Sequence, residues 1–120
     1  MKFMEKLKEM SDFDRVKFVI LYGSRVSGNS NNMSDYDFAI YYEGNKKERF
    51  EFRLKLSSDS LFDVQIFQDL PLYVRKDVLK GKLIYVKDNG FVYDVAYETI
   101  KSFESFKKYY YDYIKMRKIR

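Results

Sequence analysis

The stretch GSRVSGNSNNMSDYD, residues 23–37, decides the fold of this chain because it joins two apolar runs. The run before it, residues 16–22, is nearly continuous in β-branched and other apolar side chains, which predicts a strand buried on both faces. The run after it, residues 38–42, continues directly from the two aspartates, so we predict a second strand over 35–42. The small and polar residues between the runs predict a turn, a short helix capped by Ser24 and then a loop.

Two carboxylates, Asp35 and Asp37, open the second predicted strand. Alternate residues of a strand point the same way, so both side chains project from one face. Two like charges this close are costly unless a positive charge lies between them, and oxygen-only ligands favour magnesium. An isolated Asp-x-Asp could equally be two solvated residues, but Asp is disfavoured in strands and the apolar flank from Phe38 indicates a central strand.

Gly23 and Ser24 end the first predicted strand. A glycine here allows a ligand to approach the backbone closely, and N–H groups at a following helix start favour anions such as phosphate. The Ser24 hydroxyl could bond a phosphate oxygen. Taken alone, the pair is also compatible with an ordinary strand-to-helix turn and a serine cap.

A third acid, Asp63, lies within the apolar segment LFDVQIF, residues 61–67, which we predict as a strand. A carboxylate in so apolar a strand is expected to be paired or to bind a ligand. The alternative to a ligand role is a salt bridge to a lysine or arginine.

Residues 46–57 carry two competing patterns. Phe50, Phe52, Leu54 and Leu56 alternate as in a strand, yet they also form i,i+4 pairs among helix-favouring Lys, Glu and Arg. We predict a helix, which would supply the crossover that a parallel strand pair needs. Elsewhere the sequence predicts an amphipathic helix over 2–10, a helix over 71–79, a strand over 83–86, a turn or cap at 88–90 and a long helix over 91–116.

The composition limits the chemistry that is available. The chain has 120 residues, which suits a single domain over 1–120, with 46% hydrophobic and 34% charged residues. Because Cys and His are absent, the usual zinc sites and all His- or Cys-based catalysis are excluded. Asp, Glu, Lys, Arg and Tyr remain for acid–base or metal chemistry.

The sequence also bears on location and partners. No apolar run approaches the roughly 18 residues that span a bilayer, and residues 1–10 lack a signal-peptide segment, so we expect a cytoplasmic protein with no membrane contact. The net charge of +5 favours nucleotides, nucleic acid or an acidic partner without identifying one.

Taken together, the motifs have the pattern Gly-Ser-x3-Gly-x5-Ser-Asp-x-Asp, with Asp63 in a later strand. This pattern resembles the nucleotidyltransferase motif of the DNA polymerase β superfamily. The short chain, Arg25 after Gly-Ser and the segment 69–85 are similar to the minimal nucleotidyltransferases, or MNT proteins. The resemblance implies an α/β (α+β) fold, in which helices flank a small mixed sheet and a long helix closes the chain.

The resemblance also implies a mechanism. It assigns ATP as the nucleotide and Mg²⁺ as the cofactor, with in-line attack on the α-phosphate and release of pyrophosphate. Asp63 would orient or deprotonate the attacking hydroxyl. The implied metal ligands and catalytic residues are Asp35, Asp37 and Asp63, and the implied nucleotide-binding residues are Gly23, Ser24, Arg25 and Ser34.

Many MNT proteins are antitoxins paired with a HEPN-domain RNase toxin, and the resemblance implies AMP transfer to a toxin tyrosine. We therefore expect a hetero-oligomer with such a toxin and no direct nucleic-acid binding. Two alternatives remain: an antitoxin that neutralises by binding alone, and a small-molecule nucleotidyltransferase that needs a second subunit. The tyrosine-rich segment 109–113 could form part of the partner surface or could pack the last helix on the sheet.

Overall fold

The computed structural model describes residues 2–23, 36–57 and 62–118. Single 3₁₀ turns at Phe13–Arg15 and Phe67–Asp69 precede β1 and follow β3. The helices and strands, in chain order, are α1 Lys2–Lys8, β1 Val16–Tyr22, β2 Tyr36–Tyr42, α2 Lys46–Leu56, β3 Phe62–Ile66, α3 Leu72–Val78, β4 Lys82–Val86 and α4 Asn89–Lys118.

The four strands form one mixed sheet in the order β3-β2-β1-β4. β1 pairs antiparallel with both β2 and β4, whereas β2 and β3 run parallel. A parallel pair needs a crossover connection, and α2 supplies it. The expected mixed α/β fold with a long C-terminal helix is confirmed.

The ambiguous segment 46–57 is helical, as predicted. Its N-terminus has a capping box, in which the Asn45 side chain accepts from the Glu48 N–H at 2.8 Å and the Glu48 carboxylate accepts from the Asn45 N–H at 2.9 Å. Phe52 and Leu56 are buried four residues apart, while Phe50 and Leu54 are each 55% exposed. The i,i+4 pattern therefore outweighs the alternation, because only one of the two pairs faces the core.

The core has two parts, one on each face of the sheet. α1 and α2 cover one face, where the Phe3 ring stacks on Phe38 with 3.7 Å between ring centroids. α3 and α4 cover the other face, around Phe18, Ile20 and Phe67. β1 contributes buried side chains to both parts, which confirms that it is buried on both faces.

Several element boundaries differ from the sequence-based ones by one or two residues. Pro71 is the N-cap of α3 rather than its first helical residue. β3 ends at Ile66, and a 3₁₀ turn begins at Phe67. The turn or cap predicted at 88–90 is a cap, in which Asp88 Oδ1 accepts from the Gly90 N–H at 2.9 Å, and α4 already begins at Asn89. The helix predicted from Ser24 and the loop after it lie outside the described residues.

The C-terminal half of α4 extends away from the sheet. α4 has 30 residues, which corresponds to about 45 Å, and the molecule measures 57 × 34 × 26 Å. Of the two alternatives for the terminal tyrosines, packing against the sheet is not observed, since Tyr109, Tyr110, Tyr111 and Tyr113 are all exposed. None of the helices in the described ranges has both the length and the apolar character to cross a bilayer.

Candidate active site

Three polar side chains form a row across one end of the sheet. Tyr22 of β1 pairs in register with Asp37 of β2, and Asp37 pairs in register with Asp63 of β3. Adjacent strands lie about 4.8 Å apart, so the phenol and the two carboxylates are near neighbours. Their chain neighbours Phe38 and Val64 belong to the core under α1 and α2. By strand alternation the row therefore faces the side of α3 and α4.

Gly23 holds the backbone against the Asp37 carboxylate. Its φ of +92° lies in the region that favours glycine, and a Cβ built there would lie 2.1 Å from Asp37 Oδ2. No other residue fits this position without displacing the carboxylate. The backbone at Gly23 therefore lies directly against the Asp37 carboxylate. A ligand bound at Asp37 would also lie close to this backbone.

Asp63 is exposed, in contrast to the apolar residues around it. Its Oδ1 accepts a hydrogen bond from Gln65 Nε2 at 3.2 Å, on the same face of β3. Among the residues that the structure describes, no lysine or arginine lies within salt-bridge distance of Asp63. The salt-bridge alternative for Asp63 therefore has no support in the described part of the chain.

Tyr22 stays protonated at neutral pH. Burial, followed by the negative charges of Asp37 and Asp63, raises the pKa of Tyr22 to about 12, while the Arg53 charge acts in the opposite direction. The hydroxyl can therefore serve as a hydrogen-bond donor beside the two carboxylates. Sequence reasoning missed both Tyr22 and Gln65, although each stands next to a predicted site residue in the strand pattern.

The structure places three of the seven residues predicted for the site and brings all three together: Gly23, Asp37 and Asp63. The other four, Ser24, Arg25, Ser34 and Asp35, lie outside the described residues. Within the described ranges no group of three or more Asp, Glu, His or Cys side chains could hold a metal ion. The two carboxylates in register supply the hard oxygen donors that magnesium prefers, and in this respect the donor set fits the ion.

Solved structures with the same fold come from toxin–antitoxin complexes. A chain in a crystal structure of a toxin–antitoxin with AMP-PNP has a TM-score of 0.74 at 21% identity, over 95% of this chain and 94% of its own. A chain in a structure of tri-AMPylated Shewanella oneidensis HEPN toxin in complex with MNT antitoxin has a TM-score of 0.65 at 19% identity, with coverage of 93% and 90%. The MntA–HepT toxin–antitoxin gives a TM-score of 0.63 at 18% identity, with coverage of 93% and 91%. Such distant likenesses establish the fold alone.

The sequence comparisons identify the family. No match to a curated protein was found. The family model for polymerase β nucleotidyltransferases matches residues 5–90, which include β1, β2, β3 and the row of Tyr22, Asp37 and Asp63. The chain therefore belongs to the polymerase β nucleotidyltransferase family.

Proposed function

We propose that this protein is a magnesium-dependent nucleotidyltransferase that transfers AMP from ATP to a tyrosine of a HEPN-type RNase toxin and thereby acts as its antitoxin. One observation carries the proposal: Asp37 and Asp63 stand in register beside the Gly23 turn, in a chain of the nucleotidyltransferase family.

The carboxylates have separate roles in this proposal. Asp37 and Asp63, with Asp35, would hold magnesium, which when bound neutralises phosphate charge. Asp63 is exposed and accepts only a hydrogen bond from Gln65 among the described residues, so it suits the role of base toward an incoming hydroxyl. The acceptor oxygen forms a bond to the α-phosphorus, the bond to the β-phosphate oxygen breaks, pyrophosphate leaves, and Asp63 takes the hydroxyl proton.

The turn after β1 would bind the triphosphate. Gly23 lets phosphate oxygens approach the backbone, and Ser24, Arg25 and Ser34 would add polar and cationic contacts. The protonated Tyr22 hydroxyl is a further donor beside the carboxylates. A neutral donor suits this position because it adds no charge between the acids and the phosphates.

A protein is the acceptor that the geometry suits best. The exposed side of Asp63 lies at the edge strand β3, so a large acceptor can approach it. AMP-modified toxin beside an MNT antitoxin, in a structure of the same fold, supports a HEPN toxin as the acceptor.

The projecting half of α4 is our candidate partner surface. Phe106, Tyr109, Tyr110 and Tyr113 are each at least half exposed and recur at helical spacing. Exposed aromatic side chains are common anchors in protein interfaces. The nearby charges are mostly basic, which favours an acidic rim on the partner: Lys107, Lys108 and Lys115 against Glu104 and Asp112.

The proposal can be tested with labelled ATP, Mg²⁺ and a candidate HEPN toxin. We expect the toxin to gain the mass of one or more AMP groups on tyrosine, and its RNase activity to fall. The double variant Asp37→Asn plus Asp63→Asn should transfer nothing, whereas Asp69→Asn, at the other end of the sheet, should transfer normally. Wild-type chain that transfers no AMP in the complete mixture would overturn the enzyme proposal.

Neutralisation by binding alone is the second candidate, favoured by the exposed aromatic surface of α4. It predicts that the double variant Asp37→Asn plus Asp63→Asn silences the toxin as well as the wild type does, without any mass gain. The enzyme proposal predicts that this variant still binds the toxin but no longer silences it.

A further inference from the structure

A small groove lies between α2 and the outer edge of β3, and we call it the β3-edge groove. Among the described strands β3 pairs with β2 alone, so no further strand of the sheet covers this edge. The groove has a volume of about 220 Å³, which is less than that of typical small-molecule sites and suits one or two amino-acid side chains. Its walls come from α2, β3 and the turn after β3: Lys46, Phe50, Arg53, Gln65, Ile66 and Asp69.

Two of the lining residues connect the groove to the candidate active site. Gln65 lines the groove, and its Nε2 donates to Asp63 Oδ1 at 3.2 Å. Arg53 crosses from α2 to the strand, where its Nε donates to Val64 O at 2.9 Å. Burial raises the pKa of Tyr22, and the positive charge of Arg53 acts against that effect. One end of the groove therefore lies beside the carboxylate to which the proposed function assigns the acceptor hydroxyl.

The other end of the groove is positively charged. α2 connects two parallel strands, so it runs back along β3 and its first residues lie at the Asp69 end. Asp69 is paired there with Arg49 at 2.7 Å, which neutralises its charge. Lys46 forms no ion pair with any residue in the described ranges. Lys46 and Arg53 are thus left with a net positive charge along the groove, which favours an acidic ligand.

Phe50 adds an apolar surface between these two cations. Its side chain lines the groove and is 55% exposed, whereas Phe52 on the same helix is buried in the core. Exposed aromatic side chains are common anchors in protein interfaces, especially beside a pocket that an apolar side chain can enter. The combination of one aromatic ring, two cations and a carboxamide therefore suits a polypeptide segment with both apolar and acidic side chains.

We propose that the β3-edge groove binds the segment of the partner protein that carries the acceptor tyrosine; the inference rests on the function proposed above. The tyrosine hydroxyl lies at Asp63, an apolar side chain of the segment packs on Phe50, and an acidic side chain lies near Lys46. An extended chain advances about 3.3 Å per residue, and Asp63 and Ile66 are three positions apart on β3. The apolar side chain therefore lies about three residues from the acceptor tyrosine.

The apolar contact is tested by the rate of AMP transfer from ATP to a candidate HEPN toxin in Mg²⁺, with the toxin concentration varied. Phe50→Ala should lower kcat/KM for the toxin about tenfold. Leu54→Ala is the matched control, because Leu54 lies one turn further along α2, is equally exposed at 55% and does not line the groove. Equal kcat/KM values for the Phe50→Ala and Leu54→Ala variants would overturn the proposal.

The charge preference is tested at the first turn of α2. Lys46→Glu should also lower kcat/KM for the toxin about tenfold, because it repels the acidic side chain of the segment. Lys47→Glu is the control: it makes the same charge change in the same helical turn, at an exposed residue that does not line the groove. Equal kcat/KM values for these two variants would remove the acidic side chain from the proposal.

Nucleotide binding distinguishes an acceptor groove from part of the nucleotide site. Phe50→Ala and Lys46→Glu should both bind AMP-PNP in Mg²⁺ with the affinity of the wild type, as measured by calorimetry. A loss of AMP-PNP affinity that matches the loss of kcat/KM would assign the groove to the nucleotide and overturn its assignment to the acceptor.

The wild-type reaction separates this inference from the function on which it rests. Wild-type chain that transfers no AMP to the toxin overturns the proposed function, and this inference with it. Normal transfer by the wild type together with unchanged kcat/KM in both Phe50→Ala and Lys46→Glu overturns the groove assignment alone.

Discussion

Polar side chains at the two ends of the sheet differ in their hydrogen-bond and ion-pair partners. At the end where β2 finishes, the Tyr42 O–H donates to Asp12 Oδ2 at 2.7 Å, and Arg15 forms an ion pair with Glu48 at 2.8 Å. At the end where β2 begins, Asp63 is exposed and accepts one hydrogen bond, from Gln65 at 3.2 Å. The same four-stranded sheet thus carries paired groups at one end and an acid available for a ligand at the other.

This difference separates stability from function. A buried polar group that keeps its partner helps to hold the fold, and its loss costs free energy of unfolding. An exposed carboxylate with no cationic partner among the described residues contributes little to the free energy of unfolding. It is therefore available to bind a ligand. We therefore expect substitutions of the hydrogen-bonded and ion-paired side chains at the Tyr42 end to change stability, and substitutions of the carboxylates at the Asp63 end to change nucleotidyl transfer.

The largest effect is expected at Asp63. Asp63→Asn keeps the shape and removes both the negative charge and the base, so transfer of AMP to the HEPN toxin should fall by about 10³-fold. Asp69→Asn is the matched change at the other end, where Asp69 pairs with Arg49 at 2.7 Å, and it should keep normal transfer. Initial rates by intact-mass spectrometry measure both. Equal rates of AMP transfer by the Asp63→Asn and Asp69→Asn variants would contradict the assignment of transfer to the Asp63 end of the sheet.

A large loss of stability is expected at Gly23. Gly23→Ala places a Cβ where Asp37 Oδ2 now lies, at a φ of +92°, and should lower the free energy of unfolding by about 2–3 kcal/mol. Gly90→Ala is the control: its nearest contact is an ordinary 3.4 Å and it lies in the first turn of α4. Urea denaturation should show Gly90→Ala to be neutral or stabilising, by up to about 1 kcal/mol. A Gly23→Ala variant as stable as wild type would show that an alanine at position 23 neither clashes with Asp37 nor strains the backbone.

Alkaline pH should weaken the paired end of the sheet. Burial, together with the hydrogen bond to Asp12, raises the pKa of Tyr42 to about 12. The unfolded chain releases this proton near the ordinary value of about 10, so the stabilising effect is complete below pH 10 and is lost as the pH rises toward 12. We expect a loss of about 2 kcal/mol across that window, measured by urea denaturation. Tyr22 contributes in the same direction, because its pKa is also raised to about 12.

A smaller effect is expected from the Tyr42 hydroxyl itself. Tyr42→Phe keeps the ring stacked on Phe52 but removes the donor to Asp12, whose Oδ1 is already buried without a partner. The free energy of unfolding at pH 7 should fall by about 1–2 kcal/mol. The alkaline loss of stability should become shallower, and AMP transfer should not change. A Tyr42→Phe variant with normal stability and defective transfer would reverse the roles that we assign to the two ends.

The prediction of the fold from sequence succeeds where burial is periodic. The β1 run and the i,i+4 pair Phe52 and Leu56 mark core faces directly. The capping box at Asn45 and Glu48 is also visible in the sequence, and it favours a helix over 46–57. The sequence left the role of the terminal tyrosines open, because helical spacing is the same whether the stripe faces a core or a partner.

The site was predictable only in part. The motif spacing names Gly23, Asp37 and Asp63, but strand register decides that Tyr22 joins them, and register depends on pairings between distant segments.

The smallest effect on the isolated chain is expected at the end of α4. Tyr109 is 76% exposed, so Tyr109→Ala should change the free energy of unfolding by no more than about 0.5 kcal/mol. If the projecting half of α4 binds the toxin, the same variant should weaken the complex about tenfold or more, as measured by calorimetry. Tyr73→Ala on α3, where Tyr73 is 63% exposed, is the control. Normal toxin binding by Tyr109→Ala would remove this residue from the proposed surface.

The most direct test of the central claim is Mg²⁺-dependent binding of AMP-PNP to three forms of the chain. The double variant Asp37→Asn plus Asp63→Asn should lose the magnesium dependence and keep its fold. Asp69→Asn should bind the nucleotide with the same magnesium dependence as wild type and unfold at lower urea concentration. Unchanged magnesium-dependent binding by the double variant would contradict the claim that this end of the sheet is the nucleotidyl-transfer site.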